Sequence, residues 1–116
     1  MTVMDVAKPF VALLKEGKHE EAAARFNAED VVSLEAGGPR AETRGKAAVK
    51  AKGEWWAANH EVHGGSVEGP YPHGDQFAIR FSFDVTVKAT GQRHSLDEIG
   101  LYTVRGGKIV EERFFY

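Results

Sequence analysis

Residues 76–88 read QFAIRFSFDVTVK, and large apolar side chains occupy every second position of this stretch. These side chains are Phe77, Ile79, Phe81, Phe83, Val85 and Val87. Successive side chains of a strand point to opposite faces, so a period of two predicts a long strand with one buried face. We expect the buried face to pack against helices, and the other face, with Arg80, Asp84 and Lys88, to be solvated.

Three further strands are predicted around this one. Gly91 marks a hairpin that leads into a strand over 93–105, and the turn Gly106-Gly107 leads into a last strand over 108–116. A weaker strand, interrupted by glycine, is predicted before residue 76, over 61–71. The C-terminal half therefore predicts an antiparallel meander.

The N-terminal half is predicted to be mainly helical, because its apolar residues recur at three- and four-residue spacings. The predicted elements are helices over 3–16, 19–26 and 46–59, a short strand over 31–35, and a polar connector over 40–44 that follows a break at Gly37-Gly38-Pro39. The order α-α-β-α-β-β-β-β predicts an α+β domain with helices on one face of an antiparallel sheet.

The composition argues against several classes of protein. Lys and Arg number 15 against 17 Asp and Glu, a balance that a nucleic-acid-binding domain does not usually show. No apolar run approaches the roughly 18 residues of a membrane span, and residues 1–10 lack the apolar core of a signal peptide. Without cysteine there is no thiol catalysis. We expect one cytoplasmic domain over 1–116, with no nucleic-acid or membrane partner.

Three short motifs carry a resemblance to a known family. Residues 26–32 read FNAEDVV after a helical hairpin, residues 44–49 read RGKAAV at the start of the third helix, and residues 104–110 read VRGGKIV before the last strand. In this order they resemble the nuclear-transport-factor-2-like superfamily, and within it the SnoaL-like, or ketosteroid-isomerase-like, group. The resemblance implies a cone in which a curved sheet wraps a long helix around an apolar pocket. It also implies a homodimer and a small apolar ligand.

The resemblance to ketosteroid isomerases does not extend to their functional groups. The general-base Asp of those enzymes falls close to Glu35, but their oxyanion-hole Asp falls on Gly100 and their oxyanion-hole Tyr falls near Phe10. Two of the three groups are thus missing, which argues against steroid isomerisation by that mechanism.

Glu35 and Glu98 are the candidate catalytic residues. A carboxyl group at the mouth of an apolar pocket has a raised pKa, which suits proton transfer near neutral pH. Glu98 shares strand parity with Gly100, whose missing side chain is expected to leave room for a ligand. For each glutamate the alternative is a solvated side chain: Glu35 at a strand end, in a strand where Val32 and Leu34 take the other parity, and Glu98 opposite a buried face formed by Ile99 and Leu101.

Five residues are predicted to contact the ligand, namely Trp56, Phe81, Tyr102, Glu112 and Tyr116. For the aromatic residues the alternative is ordinary core packing, and for Glu112 it is an exposed carboxylate paired with a neighbouring cation. Trp56 is predicted to share the buried face of the third helix with Val49, Gly53 and His60. The sequence His60-Glu61-Val62-His63 lacks the HExxH spacing of a zinc site, and we predict no metal.

Two classes of function follow from these residues. The first is a small-molecule-binding domain that acts as a cofactor-free acid/base enzyme of isomerase, cyclase or dehydratase type on an apolar or aromatic substrate. The alternative is a non-catalytic ligand-binding or dimerisation module. A dimer is expected to form through the outer face of the sheet, which carries Ile99, Leu101, Thr103 and Phe115.

Overall fold

The computed structural model describes residues 2–38 and 41–116, which form three helices and one curved six-stranded sheet. The helices are α1 (Val3–Lys15), α2 (His19–Phe26) and α3 (Lys46–Asn59). The strands are β1 (Asn27–Leu34), β2 (Glu42–Arg44), β3 (His60–His73), β4 (Gln76–Val87), β5 (Gln92–Arg105) and β6 (Lys108–Phe115). The predicted α+β class and cone-like arrangement are confirmed.

The sheet has the order β2-β1-β6-β5-β4-β3, and one of its pairings differs from the prediction. Strands β3 to β6 form the predicted antiparallel meander, but β1 pairs with β6 in parallel. The sheet is therefore mixed rather than wholly antiparallel. Strand alternation alone does not specify the direction of a neighbour, so the sequence pattern could not show this pairing.

Strand β2 lies within the segment that was predicted to be a polar connector. It pairs with the end of β1, so that Leu34 faces Glu42 and Val32 faces Arg44. An edge strand can be held by backbone hydrogen bonds while its side chains stay exposed, which is why its polar sequence did not reveal it. Within the predicted break and connector, Pro39 and Arg40 lie outside the described residues.

The helical hairpin forms through local signals that the sequence carries. Asp5 accepts a hydrogen bond from the backbone nitrogen of Thr2 at 2.7 Å, which caps the start of α1. Gly17 has a φ of 77° and follows the end of α1, a backbone conformation that glycine adopts without strain. Within the described part of the chain, none of the helices has the length and hydropathy that a bilayer span requires.

The core lies between α1, α2 and the inner face of the sheet. Phe77 and Ile79 are fully buried and Phe81 is 5% exposed, so the predicted face of β4 is the buried one. The ring of Phe10 contacts those of Phe26, Phe77 and Tyr102, with centroids 5.2–6.0 Å apart. These edge-on contacts join the first helix to the middle of the sheet.

The opposite face of β4 carries charged side chains, as predicted. Arg80 pairs with Asp97 at 2.9 Å and Arg93 pairs with Asp84 at 2.6 Å, both across β4 and β5. In each pair two guanidinium nitrogens donate to the two carboxylate oxygens. Such exposed pairs contribute little to stability, but they set which face of the sheet meets solvent.

Replacing Phe81 with alanine should lower the free energy of unfolding by about 3–5 kcal/mol, the usual range for a buried phenylalanine. Urea denaturation followed by circular dichroism measures this value. Tyr71→Ala is the matched control, because Tyr71 is an aromatic residue that is 59% exposed, and it should cost less than about 1 kcal/mol. Equal losses for the two variants would show that Phe81 is not a core residue.

Candidate functional site

A row of directly paired residues crosses the inner face of the sheet, and three of its four members carry polar groups. Ser33 of β1 pairs with Glu112 of β6, Glu112 pairs with Tyr102 of β5, and Tyr102 pairs with Phe77 of β4. Directly paired residues lie on the same face of a sheet. Because Phe77 is fully buried, this row defines the side that faces the helices.

Glu35 extends this row beyond the end of β1 and forms an ion pair with Lys52 of α3. The Oε1 atom of Glu35 lies 2.6 Å from the Nζ atom of Lys52, and the two side chains are only 20% and 16% exposed. The structure thus places Glu35 on the inner side of the sheet, in a largely buried ion pair rather than at a solvated strand end.

Lys52 was not among the predicted site residues. Its Nζ atom also donates a hydrogen bond of 2.6 Å to the Oγ atom of Ser33 and lies 5.5 Å from the centre of the Phe114 ring. The predicted buried face of α3 was wrong in one position, because Gly53 is exposed while Lys52 is partly buried. The signal was the spacing of Val49, Lys52 and Trp56, which are three and four residues apart and therefore share one helix face.

Glu98 lies on β5 opposite Phe81 and is partly buried. Burial raises the pKa of its carboxyl group to about 7, repulsion by Glu35 adds to the increase, and attraction by Lys52 opposes it. The cause of the raised pKa is the desolvation that the sequence predicted. The predicted alternative, a buried face formed by Ile99 and Leu101, does not occur, because Ile99 is 39% exposed.

Glu112 has a similarly perturbed carboxyl group. Burial raises its pKa to about 7, whereas Lys52 and a hydrogen bond with the Ser33 hydroxyl lower it. Repulsion by Glu35 and Glu98 makes a smaller upward contribution. Three carboxyl groups are thus close enough to influence one another around a single ammonium group. Glu98 and Glu112, with pKa values of about 7, are suited to gain and lose protons near neutral pH, as general acid/base chemistry requires.

The comparison with known families agrees with this fold. The family model described as a SnoaL-like domain matches residues 1–116. The chain belongs to the SnoaL-like domain family. A proposed SnoaL-like polyketide cyclase from Mesorhizobium loti, which also carries the designation carbohydrate phosphatase, is 60% identical to this SnoaL-like domain. The alignment covers 100% of both chains, with a TM-score of 0.97.

More distant structures share the fold alone. An NTF2-like protein from Burkholderia xenovorans is 24% identical over 99% of this SnoaL-like domain and 90% of that chain, with a TM-score of 0.76. A protein with a ketosteroid isomerase-like fold from Catenulispora acidiphila is 18% identical over 96% and 84% of the two chains, with a TM-score of 0.73. A search among curated proteins gives no significant match.

Gly100 does not leave open space in this SnoaL-like domain, which corrects the prediction that its missing side chain makes room for a ligand. A Cβ atom on Gly100 would lie 2.9 Å from the Cε2 atom of Tyr102, 3.1 Å from the Tyr102 hydroxyl oxygen and 3.1 Å from the Cε2 atom of Phe81. The two aromatic side chains therefore occupy the volume that an acid at position 100 would need.

The remaining predicted contact residues fall into two environments. Phe81 and Tyr102 belong to the buried aromatic cluster, and the Tyr102 ring stacks on Phe77 with centroids 5.0 Å apart. Trp56 is partly buried and stacks on His60 at 4.4 Å. Tyr116 is 66% exposed, and its hydroxyl group donates a hydrogen bond to Glu35. Desolvation raises the pKa of this hydroxyl group, and the negative charge of Glu35 adds to the increase. Of these four residues, Tyr116 is the one that is hydrogen-bonded to a member of the acidic cluster, which consists of Glu35, Glu98 and Glu112.

Two cavities of this SnoaL-like domain lie away from the acidic cluster. One of about 280 Å³ is lined by residues 64–66, 82–84, 95 and 96, and one of about 590 Å³ is lined by residues 2, 3, 74, 75, 104, 106 and 107. Neither includes Glu35, Glu98 or Glu112 in its lining. Across residues 2–38 and 41–116, no three His, Asp or Glu side chains are arranged as metal ligands.

Glu98→Gln should change how stability depends on pH. The folded state raises the pKa of Glu98 from 4.5 to about 7, so it binds this proton more tightly than the unfolded chain does. Wild type should therefore lose stability as pH rises from 4.5 to about 7, and Glu98→Gln should lose about 1–2 kcal/mol less, after allowance for solvent screening.

Denaturation at pH 4.5 and pH 8 measures this difference. Glu111→Gln, one residue from Glu112 on the other strand parity, is the matched control and should follow the wild-type pH dependence. Parallel stability curves for wild type and Glu98→Gln would contradict the assignment.

Proposed function

We propose that this SnoaL-like domain binds a small apolar or aromatic molecule and transforms it by cofactor-free acid/base chemistry of isomerase, cyclase or dehydratase type. The observation that supports the proposal is the pair of partly buried carboxyl groups, Glu98 and Glu112, whose pKa values are raised to about 7 beside the Lys52–Glu35 ion pair. Groups with such pKa values give and accept protons efficiently at neutral pH.

In this proposal Glu98 is the acid and Glu35 is the base. Protonated Glu98 gives its proton to a carbonyl oxygen of the substrate, while the Glu35 carboxylate takes a proton from the carbon next to that carbonyl. The products of this step are an enol, ionised Glu98 and protonated Glu35, and reverse transfers to other atoms complete the reaction. Trp56 is proposed as an apolar contact of the substrate and Glu112 and Tyr116 as polar ones, whereas Phe81 and Tyr102 belong to the packed core behind them.

The similarity to the Mesorhizobium loti protein supports a reaction of this class. That protein is a proposed polyketide cyclase, and it shares 60% of its sequence with this chain over the full length of both. Cyclisation of a chain with several carbonyl groups requires removal of a proton next to one carbonyl and protonation of another. A site with one ionised and one neutral carboxyl group supplies both steps.

Exchange of substrate protons tests the enzymatic proposal. Wild-type protein is incubated in D₂O with a panel of aromatic ketones and 1,3-diketones, and loss of the proton next to the carbonyl is followed by NMR. We expect exchange above the buffer rate for at least one compound, and Glu98→Gln and Glu35→Gln should lower it by about 10²–10⁴-fold. Glu111→Gln should retain the wild-type rate. Equal rates for the wild type and both site variants would exclude Glu98 and Glu35 as the acid and base.

A dimerisation module is the second candidate function, and one observation on the outer face of the sheet favours it. Ile99 and Phe115 pair directly across β5 and β6, and they are 39% and 50% exposed. Two large apolar side chains side by side in solvent are typical of an interaction surface. We propose that a second copy of the chain covers them.

Light scattering at tens of micromolar tests this dimer. The wild type should show twice the chain mass of 12.7 kDa, and Phe115→Lys should show the mass of one chain because it places a charge in the interface. Val62→Lys is the control: Val62 is an exposed apolar residue of β3 that pairs with Val85 on the opposite face of the sheet, and the variant should remain dimeric. A monomer mass for the wild type would contradict the proposal.

A further inference from the structure

Lys52 bridges two acceptors, Ser33 within β1 and Glu35 just beyond the end of that strand. Its Nζ atom lies 2.6 Å from Glu35 and 2.6 Å from the Oγ atom of Ser33, and its side chain is 16% exposed. An ammonium group has three donors and no acceptor, so the direction of both contacts is fixed. Lys52 therefore holds the end of β1 against α3 by two charge-assisted hydrogen bonds.

Ser33 extends this contact to the next strand. It is fully buried, pairs with Glu112 across β1 and β6, and shares a hydrogen bond with the Glu112 carboxyl group. An ionised carboxylate has no proton to donate, so the Ser33 hydroxyl donates to the Glu112 carboxylate, and this hydrogen bond lowers the pKa of Glu112. Donors thus run in one direction, from Lys52 through Ser33 to Glu112.

Glu98 stands outside this arrangement. It lies one strand further away, on β5, and its partner on β4 is Phe81. In the part of the chain that the structure describes, no ion pair joins Glu98 to a lysine or arginine. Of the three carboxyl groups, Lys52 thus holds one directly and a second through a hydroxyl group, but not the third.

We propose that Lys52 is the positioning residue of this site: it fixes Glu35 directly and Glu112 through the Ser33 hydroxyl, and leaves Glu98 to exchange a proton with the ligand. The exchange at Glu98 rests on the proposed function, whereas the path through Ser33 does not. The proposal explains why a lysine occupies the inner face of α3, a position that is apolar in most helices packed on a sheet.

Titration of individual carboxyl groups tests this role. The ¹³C signals of the Glu98 and Glu112 carboxyl groups are followed against pH in the wild type, Lys52→Met, Ser33→Ala and the double variant. Lys52→Met should raise both midpoints, by about one pH unit or more, because a nearby positive charge is lost. Ser33→Ala should raise the midpoint of Glu112 alone.

The double variant distinguishes a path through Ser33 from direct attraction. If Lys52 orients the Ser33 hydroxyl, the effect of Ser33→Ala on Glu112 should be clearly smaller in the Lys52→Met background than in the wild type. Equal shifts in the two backgrounds would overturn the proposal. Lys50→Met, at an exposed lysine on the same helix, is the control and should leave both midpoints unchanged.

A substitute variant and the wild-type Glu98 midpoint distinguish failure of the proposed function from failure of the role of Lys52. If circular dichroism shows that Lys52→Met is unfolded, Glu35→Gln/Lys52→Met replaces it, since removing both members of a buried pair is tolerated better than removing one. A wild-type Glu98 midpoint near its ordinary value of 4.5 would overturn the proposed function. A raised Glu98 midpoint together with equal Ser33→Ala shifts would overturn the role of Lys52 alone.

Discussion

The parallel pairing of β1 with β6 is the constraint on which the site depends. It places Ser33 directly beside Glu112, although 79 positions separate them in the sequence. A parallel pair cannot be joined by a tight turn, so α3 and the whole meander must lie between the two strands. The same connection carries Lys52 back across the end of β1, and the cluster therefore exists only when both ends of the chain have docked.

The charge balance of the cluster explains how it is tolerated in a partly buried position. Three carboxylates around one ammonium group would carry a net charge of −2, and water screens that charge poorly once the side chains are packed. Burial disfavours the charged forms of Glu98 and Glu112 and repulsion among the carboxylates adds to this effect, which is why their pKa values are about 7. The site is thus a local cost to stability that the aromatic core offsets, a common arrangement for functional residues.

The sequence predicted those features that depend on local periodicity. The face of β4 and the bounds of α2 and α3 follow from patterns within a few residues, whereas the direction of the Glu98 side chain was left open by the pattern of β5. The buried ion pair of Glu35 and Lys52 does not, because it depends on how α3 crosses β1. The pattern of β1 was also ambiguous, since its polar residue Ser33 is fully buried while the apolar Val32 is only partly so. The roles of Lys52 and Ser33 on the inner face can be recognised only when their partners in the folded chain are known.

The packing around Gly100 limits the sequence changes by which this chain could acquire the acid that the isomerases carry there. A new side chain at position 100 would meet the Tyr102 and Phe81 rings before it reached a ligand. An aspartate there would require at least one of these rings to move, and each of them belongs to the core. Introducing that acid therefore carries a packing cost in the core as well as a change of charge. Glu98, two residues away on the same face, places a carboxyl group on this strand without that cost.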